Sequence, residues 1–322
     1  MIKVTQKEIK DFARLWGGFR ASRVILTANN LSVFEHLRTA RSAGDLAVQI
    51  GADPRALEIL LDAVASLGLL KKTGPQYRNA PAANRFLVKD SPWYQGDMLR
   101  HADSLWKTWS GLDEVVRTGR PYRAPGSRDH ASFIKAMHNN AVLKAPDVIK
   151  AIDLRGVRQA IDLGGGPGTY SRELATRGIA VTLFDLPETI AIARTMIDER
   201  KFRNIAFLEG DYHTDDIGHG YELVLISQIF HSLSSEECLE LLRKSHEALN
   251  PKGRIAIQEF LLEEDRAQPQ VGALFSINML VNTSAGRSYT PQEIKSWLLQ
   301  AGFKKIVKKV LGDTVVITAR KG

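Results

Sequence analysis

The chain has 322 residues, 44% of them hydrophobic and 25% charged, with a formal net charge of +8, values that suit a globular protein with room for two domains and a substantial core. No run of about 18 apolar residues is available to cross a membrane, residues 1–10 lack the apolar core of a signal peptide, and the single cysteine, Cys238, excludes an intrachain disulfide and a cysteine zinc cluster. The positive charge is spread along the chain (Lys71-Lys72, Lys304-Lys305, Lys308-Lys309), so a solvated surface and a cytoplasmic location are expected, with neither membrane nor nucleic acid as partner.

Residues 7–19 and 24–38 carry apolar side chains at helical spacing (Ile9, Phe12, Leu15, Trp16; then Val24, Leu31, Phe34, Leu37), which predicts two helices. Their apolar surface exceeds what so small a module buries alone, so a homodimer interface is expected between Ile9 and Leu37. Ser42 caps a predicted helix over 43–50 that Gly51 stops. Asp53-Pro54 opens another, whose face is Leu57, Leu60, Leu61, Val64 and Leu67. A hairpin turning at Thr73-Gly74-Pro75 completes a winged helix-turn-helix outline within residues 1–100. The second helix of that outline has Arg55 as its one cation, beside Glu58 and Asp62. Without a basic face to neutralise phosphates, it reads as a structural module and not as a DNA reader.

Residues 101–322 form the second expected domain, opening with connecting helices over 101–158. Trp93, Tyr94, Met98, Trp106 and Trp109 recur in a helical stretch ending near Gly119-Arg120-Pro121. They either line a pocket for a flat substrate or pack a connecting helix. Residues 133–140 then lead into a helix that delivers the chain to a strand. From Gln159 strands near 160–163, 181–185, 205–209, 223–227 and 254–259 alternate with helical segments. This is the pattern of an α/β, doubly wound, mostly parallel sheet. Ser234 and Glu237 form a capping box for a helix over 235–249 that Asn250-Pro251-Lys252-Gly253 stops. Thr290-Pro291 opens another helix, and residues 305–310 and 314–320 form a terminal hairpin.

The first strand of that sheet runs into Asp162-Leu163-Gly164-Gly165-Gly166-Pro167-Gly168-Thr169. Such a loop admits φ > 0 and lets a ligand approach backbone N–H groups at a helix start. The dinucleotide fingerprint Gly-x-Gly-x-x-Gly fails, because Thr169 occupies the third glycine. Gly164, Gly166 and Gly168 behind Asp162 instead resemble the first motif of S-adenosylmethionine (SAM) dependent methyltransferases.

In doubly wound sheets, ligands bind outside the carboxyl ends of the strands. Asp162, Asp185, Asp211, His231 and Glu259 all fall there. Asp185, followed by Leu186, suits two ribose hydroxyls. Asp211 is placed for an adenine amino group, and Tyr212 for covering the ring. Ser227 at the fourth strand end completes the expected cofactor set with Asp162, Gly164 and Gly166. Histidine is the side-chain type that exchanges protons near neutrality, so His231 suits proton transfer there. The remaining histidines show no metal-ligand pairing.

With Phe184-Asp185-Leu186-Pro187, Gly210-Asp211, Ile229-Phe230-His231 before Ser235-Glu236-Glu237, and Asn278-Met279-Leu280-Val281, the chain resembles small-molecule O-methyltransferases of the caffeate, isoflavone and hydroxyindole type over nearly its whole length. The resemblance implies a Rossmann-like SAM domain behind a dimerising winged-helix domain, and methyl transfer to an aromatic hydroxyl. It puts the catalytic histidine at His231, its orienting glutamate at Glu259, and acceptor-lining residues at Met137, Asn278, Met279 and Asn282. Two departures stand out. Ser232-Leu233 replaces the usual Asp-Trp after the histidine, and Ser288 replaces a second glutamate. N- or C-methylation, non-methylating SAM chemistry, and a SAM-binding winged-helix regulator are the alternative readings.

Overall fold

The computed structural model describes residues 4–122 and 130–322, and the chain divides into two compact units, Met1–Asp103 and Ser104–Gly322. The amino-terminal unit opens with α1 (Gln6–Gly17), whose start is held by a capping box between Thr5 and Glu8. This helix buries none of its residues, and Ile9, Phe12, Leu15 and Trp16 are 50%, 69%, 74% and 55% exposed. The single helix expected over 24–38 is instead two, α2 (Phe19–Asn30) and α3 (Val33–His36), separated at Ser32, whose φ is 56°. Asn29 explains the break. Its buried side-chain amide donates to the Gly96 carbonyl at 3.0 Å, and an asparagine pair at a helix end favours termination over another turn. The bend turns Ala28, Val33, Phe34 and Leu37 into the unit's own core. The apolar surface expected from Ile9 to Leu37 therefore contracts to α1 and Phe19 at the start of α2, with Leu31 partly exposed beyond.

The winged outline follows as β1 (Arg41–Ser42), α4 (Ala43–Ile50), α5 (Pro54–Ser66), β2 (Leu70–Thr73) and β3 (Gln76–Asn79), the strands pairing antiparallel in the order β1-β3-β2. Asp62 on α5 accepts from Lys72 Nζ and from the Tyr77 hydroxyl, both at 2.6 Å, so Lys72 of the wing is spent on the helix. After α6 (Pro81–Phe86), the unit division falls within α7 (Gly96–Trp109).

In the second unit α8 (Leu112–Thr118), α9 (His130–Val142) and α10 (Ala145–Ala151) precede the sheet. Its strands and helices are β4 (Gln159–Leu163), α11 (Thr169–Ala175), β5 (Ala180–Asp185), α12 (Pro187–Met196), β6 (Ile205–Glu209), β7 (Tyr221–Ser227), α13 (Ser235–Ala248), β8 (Leu249–Phe260), α14 (Gln270–Asn282), α15 (Pro291–Gln300), β9 (Phe303–Leu311) and β10 (Thr314–Lys321). Strand order is β6-β5-β4-β7-β8-β10-β9, with β10 antiparallel to both neighbours. The stop predicted at residues 250–253 lies inside β8. There Lys252 takes a φ of 67° and pairing with β7 shifts register before Arg254. Alternation sorts the core into two faces. Ile161, Leu163, Val224, Ile226, Ile255 and Ile257 pack towards α13 and α15, whereas Ala160, Leu223, Leu225 and Ala256 pack towards α10, α11 and α12. None of the helices among the described residues is long and apolar enough to cross a membrane.

The loop from β4 to α11 turns on glycines with φ of 67° (Gly164), 54° (Gly166) and 70° (Gly168). These positions differ in what a side chain would meet. A Cβ on Gly168 would stand 2.5 Å from Ile197 Cδ1 and 2.6 Å from Leu183 Cδ1, whereas on Gly166 it would meet nothing within 4 Å. Both substitutions incur left-handed strain, and only one also overpacks. Gly168→Ala should therefore unfold more easily than Gly166→Ala by about 1–3 kcal/mol in urea titrations. Equal losses would show that Ile197 and Leu183 yield freely.

Behind the loop, Asp162 is 0% exposed. Burial pushes its carboxyl up to about 6, partly offset by the Ser171 hydroxyl donating to Oδ2 at 2.7 Å. A carboxyl that holds its proton more tightly when folded stabilises the fold fully below about pH 4, and that stabilisation is lost as pH rises through about 6. Asp162→Asn cannot ionise and escapes this loss. The stability of the ligand-free variant relative to the parent should improve by roughly 2–3 kcal/mol between about pH 4 and pH 7. A difference that stays constant with pH would mean that Asp162 does not titrate as a buried acid.

Candidate active site

Strand order reverses between β4 and β7, so the segments leaving their carboxyl ends diverge and leave a crevice. On the β4 side, Gly164 and Gly165 donate to the Phe184 carbonyl at 2.9 and 3.2 Å, which clamps the loop onto β5. Asp185, at the end of β5, accepts from Gly166 N–H and Leu186 N–H, both at 2.8 Å. Burial raises its pKa while these backbone donors lower it. Leu186 itself is 39% exposed. The loop wall is completed by Tyr212, near Gly164 and partly buried, with its hydroxyl pushed up to about 12 by burial. Asp211 spends Oδ1 on His213 N–H at 2.9 Å and stays partly exposed.

On the β7 side, His231 lies in a short 3-10 turn (Phe230–Ser232) directly beyond the strand. Its Nδ1 is 2.7 Å from Oε2 of Glu259, a buried carboxylate on β8. The backbone N–H of His231 approaches Glu259 Oε1 at 3.4 Å. An ionised carboxylate only accepts, so the proton of the neutral imidazole belongs on Nδ1 and the lone pair on Nε2. Phe275 stands edge-on to the imidazole, centroids 4.8 Å apart, and the Phe260 ring lies 6.3 Å away.

The residues expected to line the acceptor are distributed unevenly. Met279 is buried on α14, and Met137 is half-buried on α9. Asn278 Oδ1 accepts from Trp109 Nε1 at 3.0 Å and from Asn282 Nδ2 at 3.2 Å, so this asparagine ties α7 to α14. Trp93, Tyr94 and Met98 belong to the amino-terminal unit, and Trp109 is the member of that aromatic series joined to Asn278. Ser288 stands where the resemblance implied a family glutamate. It is buried, donating to the Gly272 carbonyl at 2.9 Å.

Sequence reasoning missed three features here. Gln258, fully buried, accepts from Ser227 at 2.6 Å and from Tyr170 at 3.3 Å, leaving Nε2 without a protein partner. Gln228 Nε2 and Asp162 Oδ1 are likewise buried and unpartnered, so three orphaned polar atoms gather at the ends of β4, β7 and β8. His138, pushed down to about 4 by burial and by Arg172, lies 2.8 Å from Thr169 Oγ1 and 3.1 Å from Arg172, bracing the first turn of α11. The signal for Gln258 was present. It interrupts the apolar run Ile255-Ala256-Ile257 of a strand buried on both faces.

The comparisons agree with this geometry. Residues 106–304 match the O-methyltransferase domain and residues 13–89 the O-methyltransferase dimerisation domain. Acetylserotonin O-methyltransferase of Gallus gallus is 32% identical over 314 residues, covering 90% of both chains. The 3-hydroxy-5-methyl-1-naphthoate 3-O-methyltransferase of Streptomyces sahachiroi is 31% identical over 303 residues, covering 90% of this chain and 88% of its own. The crystal structure of human N-acetylserotonin methyltransferase in complex with SAM superposes with a TM-score of 0.90 at 29% identity, covering 100% of both chains. With a glycine loop and a histidine–carboxylate pair flanking one crevice, and with relatives matched end to end, the chain belongs to the O-methyltransferase family and is a SAM-dependent O-methyltransferase.

Proposed function

We propose that the enzyme methylates a hydroxyl of a small aromatic acceptor with His231 as general base. The observation that carries this reading is the 2.7 Å hydrogen bond that His231 Nδ1 donates to Glu259 Oε2, which leaves Nε2 as the proton acceptor.

The residues around the glycine loop fit the cofactor. Gly166 leaves open space where a Cβ would stand, and three unpartnered buried polar atoms suit a ligand with both charged and polar groups. Gly164, Gly166, Asp185, Leu186, Asp211, Tyr212 and Ser227 would hold it. Asp162 would act from behind the loop through Ser171. When bound, SAM supplies an electrophilic methyl group. The chain's own work is then positional and protolytic. Asn278, Met279, Asn282 and Met137 bound the acceptor, His231 Nε2 takes the hydroxyl proton, and Glu259 offsets the charge of the resulting imidazolium. The naphthoate and acetylserotonin enzymes among its relatives support an acceptor built on a fused aromatic ring.

His231→Ala should lower kcat by about 10²–10⁴ while S-adenosylhomocysteine binding, read by calorimetry, survives. The loss should shrink for acceptors of lower pKa, which are already ionised. Glu259→Gln should give a smaller loss of the same kind. Undiminished transfer by His231→Ala to a weakly acidic phenol would make the histidine a bystander.

The second part of the proposal is a homodimer formed through the amino-terminal unit. The exposed stripe Ile9, Phe12, Leu15 and Trp16 on α1, which buries none of its residues, continued by Phe19 at the start of α2, suits a second copy, in keeping with the dimerisation-domain match. Sedimentation of the full chain should report a dimer, and Phe12→Asp with Trp16→Asp should shift it towards monomer. A monomeric parent protein would sink this part alone.

A further inference from the structure

Lys144 lies in the turn that joins α9 to α10, as the residue that opens α10. It is partly buried, and burial lowers its pKa. Among the described residues its side chain makes neither an ion pair nor a hydrogen bond; its one close partner is the Phe260 ring, whose centroid lies 5.2 Å from Nζ. Asp313, on the turn between β9 and β10, partly offsets the burial from beyond ion-pair distance. A lysine stem is long enough to carry its ammonium into water, so a cation retained on an aromatic face without a carboxylate marks a position where an anion would be welcome.

What lies next to that cation decides what the anion belongs to. Phe260 directly follows Glu259, packs on Phe275 with centroids 4.1 Å apart, and stands 6.3 Å from the His231 ring. Phe275 in turn meets His231 edge-on. Cation, two phenyl rings and imidazole therefore form one connected cluster, with Phe260 adjoining Lys144, Phe275 and His231. The ammonium lies 5.2 Å and the imidazole 6.3 Å from the Phe260 centroid, so their separation is bounded by the span of two fused aromatic rings with a substituent at each end. We propose that Lys144 binds a carboxylate of the acceptor, and that the preferred acceptors are aromatic hydroxy acids with the acid group on the ring edge opposite the hydroxyl. This rests on the reading of His231 as the base facing the acceptor.

The test uses full-length enzyme loaded with S-adenosylhomocysteine and compares 6-hydroxy-2-naphthoate with 2-naphthol by calorimetry. The parent should bind the acid about 10- to 100-fold more tightly, the range of a charge-assisted hydrogen bond. Lys144→Met should weaken the acid alone and bring the ratio to within about 3-fold, Lys144→Arg should keep most of the preference, and S-adenosylhomocysteine affinity should be unchanged in both. In turnover, Lys144→Met should raise KM for the acid with kcat held. A parent without preference for the acid, or a Lys144→Met enzyme that keeps it, overturns the proposal. Failure of the base assignment is read separately, since His231→Ala would then retain turnover while the binding ratio still reports on Lys144.

Discussion

The reversal of strand order between β4 and β7 is the constraint on which the rest depends. It parts the segments leaving two adjacent strand ends, and a crevice opens where a continuous sheet edge would have been covered. One side receives a glycine loop because the chain must turn at once into α11, with Gly164 and Gly165 bonded to the Phe184 carbonyl. The other receives a 3-10 turn that lifts His231 out of β7 and over Glu259. Registers carry the rest: Ser227 lies beside Gln258 and Leu163 beside Phe184, so every strand end arrives at the same level.

That level collects carboxylates, and each is accommodated differently. Asp162 has a hydroxyl partner and a raised pKa. Asp185 has two backbone N–H donors, so the folding of the loop itself compensates its charge. Glu259 has an imidazole and the backbone N–H of the same residue. A buried acid bonded only to neutral groups shifts towards its protonated form, whereas one facing an imidazole fixes the tautomer of its partner. The three acids thus divide into one behind the loop, one shaping it, and one aimed at the base.

The fold was legible because its signals are local. Periodicity gave the helices, the capping box at Ser234 and Glu237 marked α13, and alternating strands and helices announced the sheet. The break at Ser32 was not legible, because the bond from Asn29 to Gly96 spans 67 positions of sequence. The acid and histidine positions of the candidate site were legible from strand ends alone. Their partners were not. That Asn278 would be held by Trp109, or that Lys144 would rest on Phe260, depends on helices meeting in space, and neither residue belongs to a motif. A lone polar residue in sequence is informative only when its surroundings are known to be apolar. Gln258 met that condition within its own strand, whereas Lys144 meets it only after folding.

The two departures around the histidine change the charge of the site more than its geometry. Ring orientation survives because Glu259 contacts both the side chain and the backbone of His231, Phe275 stands against the ring edge, and Gly286 packs so closely that a Cβ there would stand 2.3 Å from the His231 carbonyl oxygen. Position is over-determined by packing, so a second carboxylate is dispensable for holding the ring. What serine at 232 and 288 removes is negative charge: Ser232 turns its hydroxyl to the Ile229 carbonyl and Ser288 to that of Gly272. A pocket ringed by three acids would repel an anionic acceptor, and each like charge in a poorly solvated crevice adds to that penalty. Glu259 is then the single acid on the base, and Lys144 adds a cation against the neighbouring Phe260 ring. In the proposed binding mode, a hydroxy acid places its hydroxyl at the imidazole and its carboxylate at Lys144, away from Glu259.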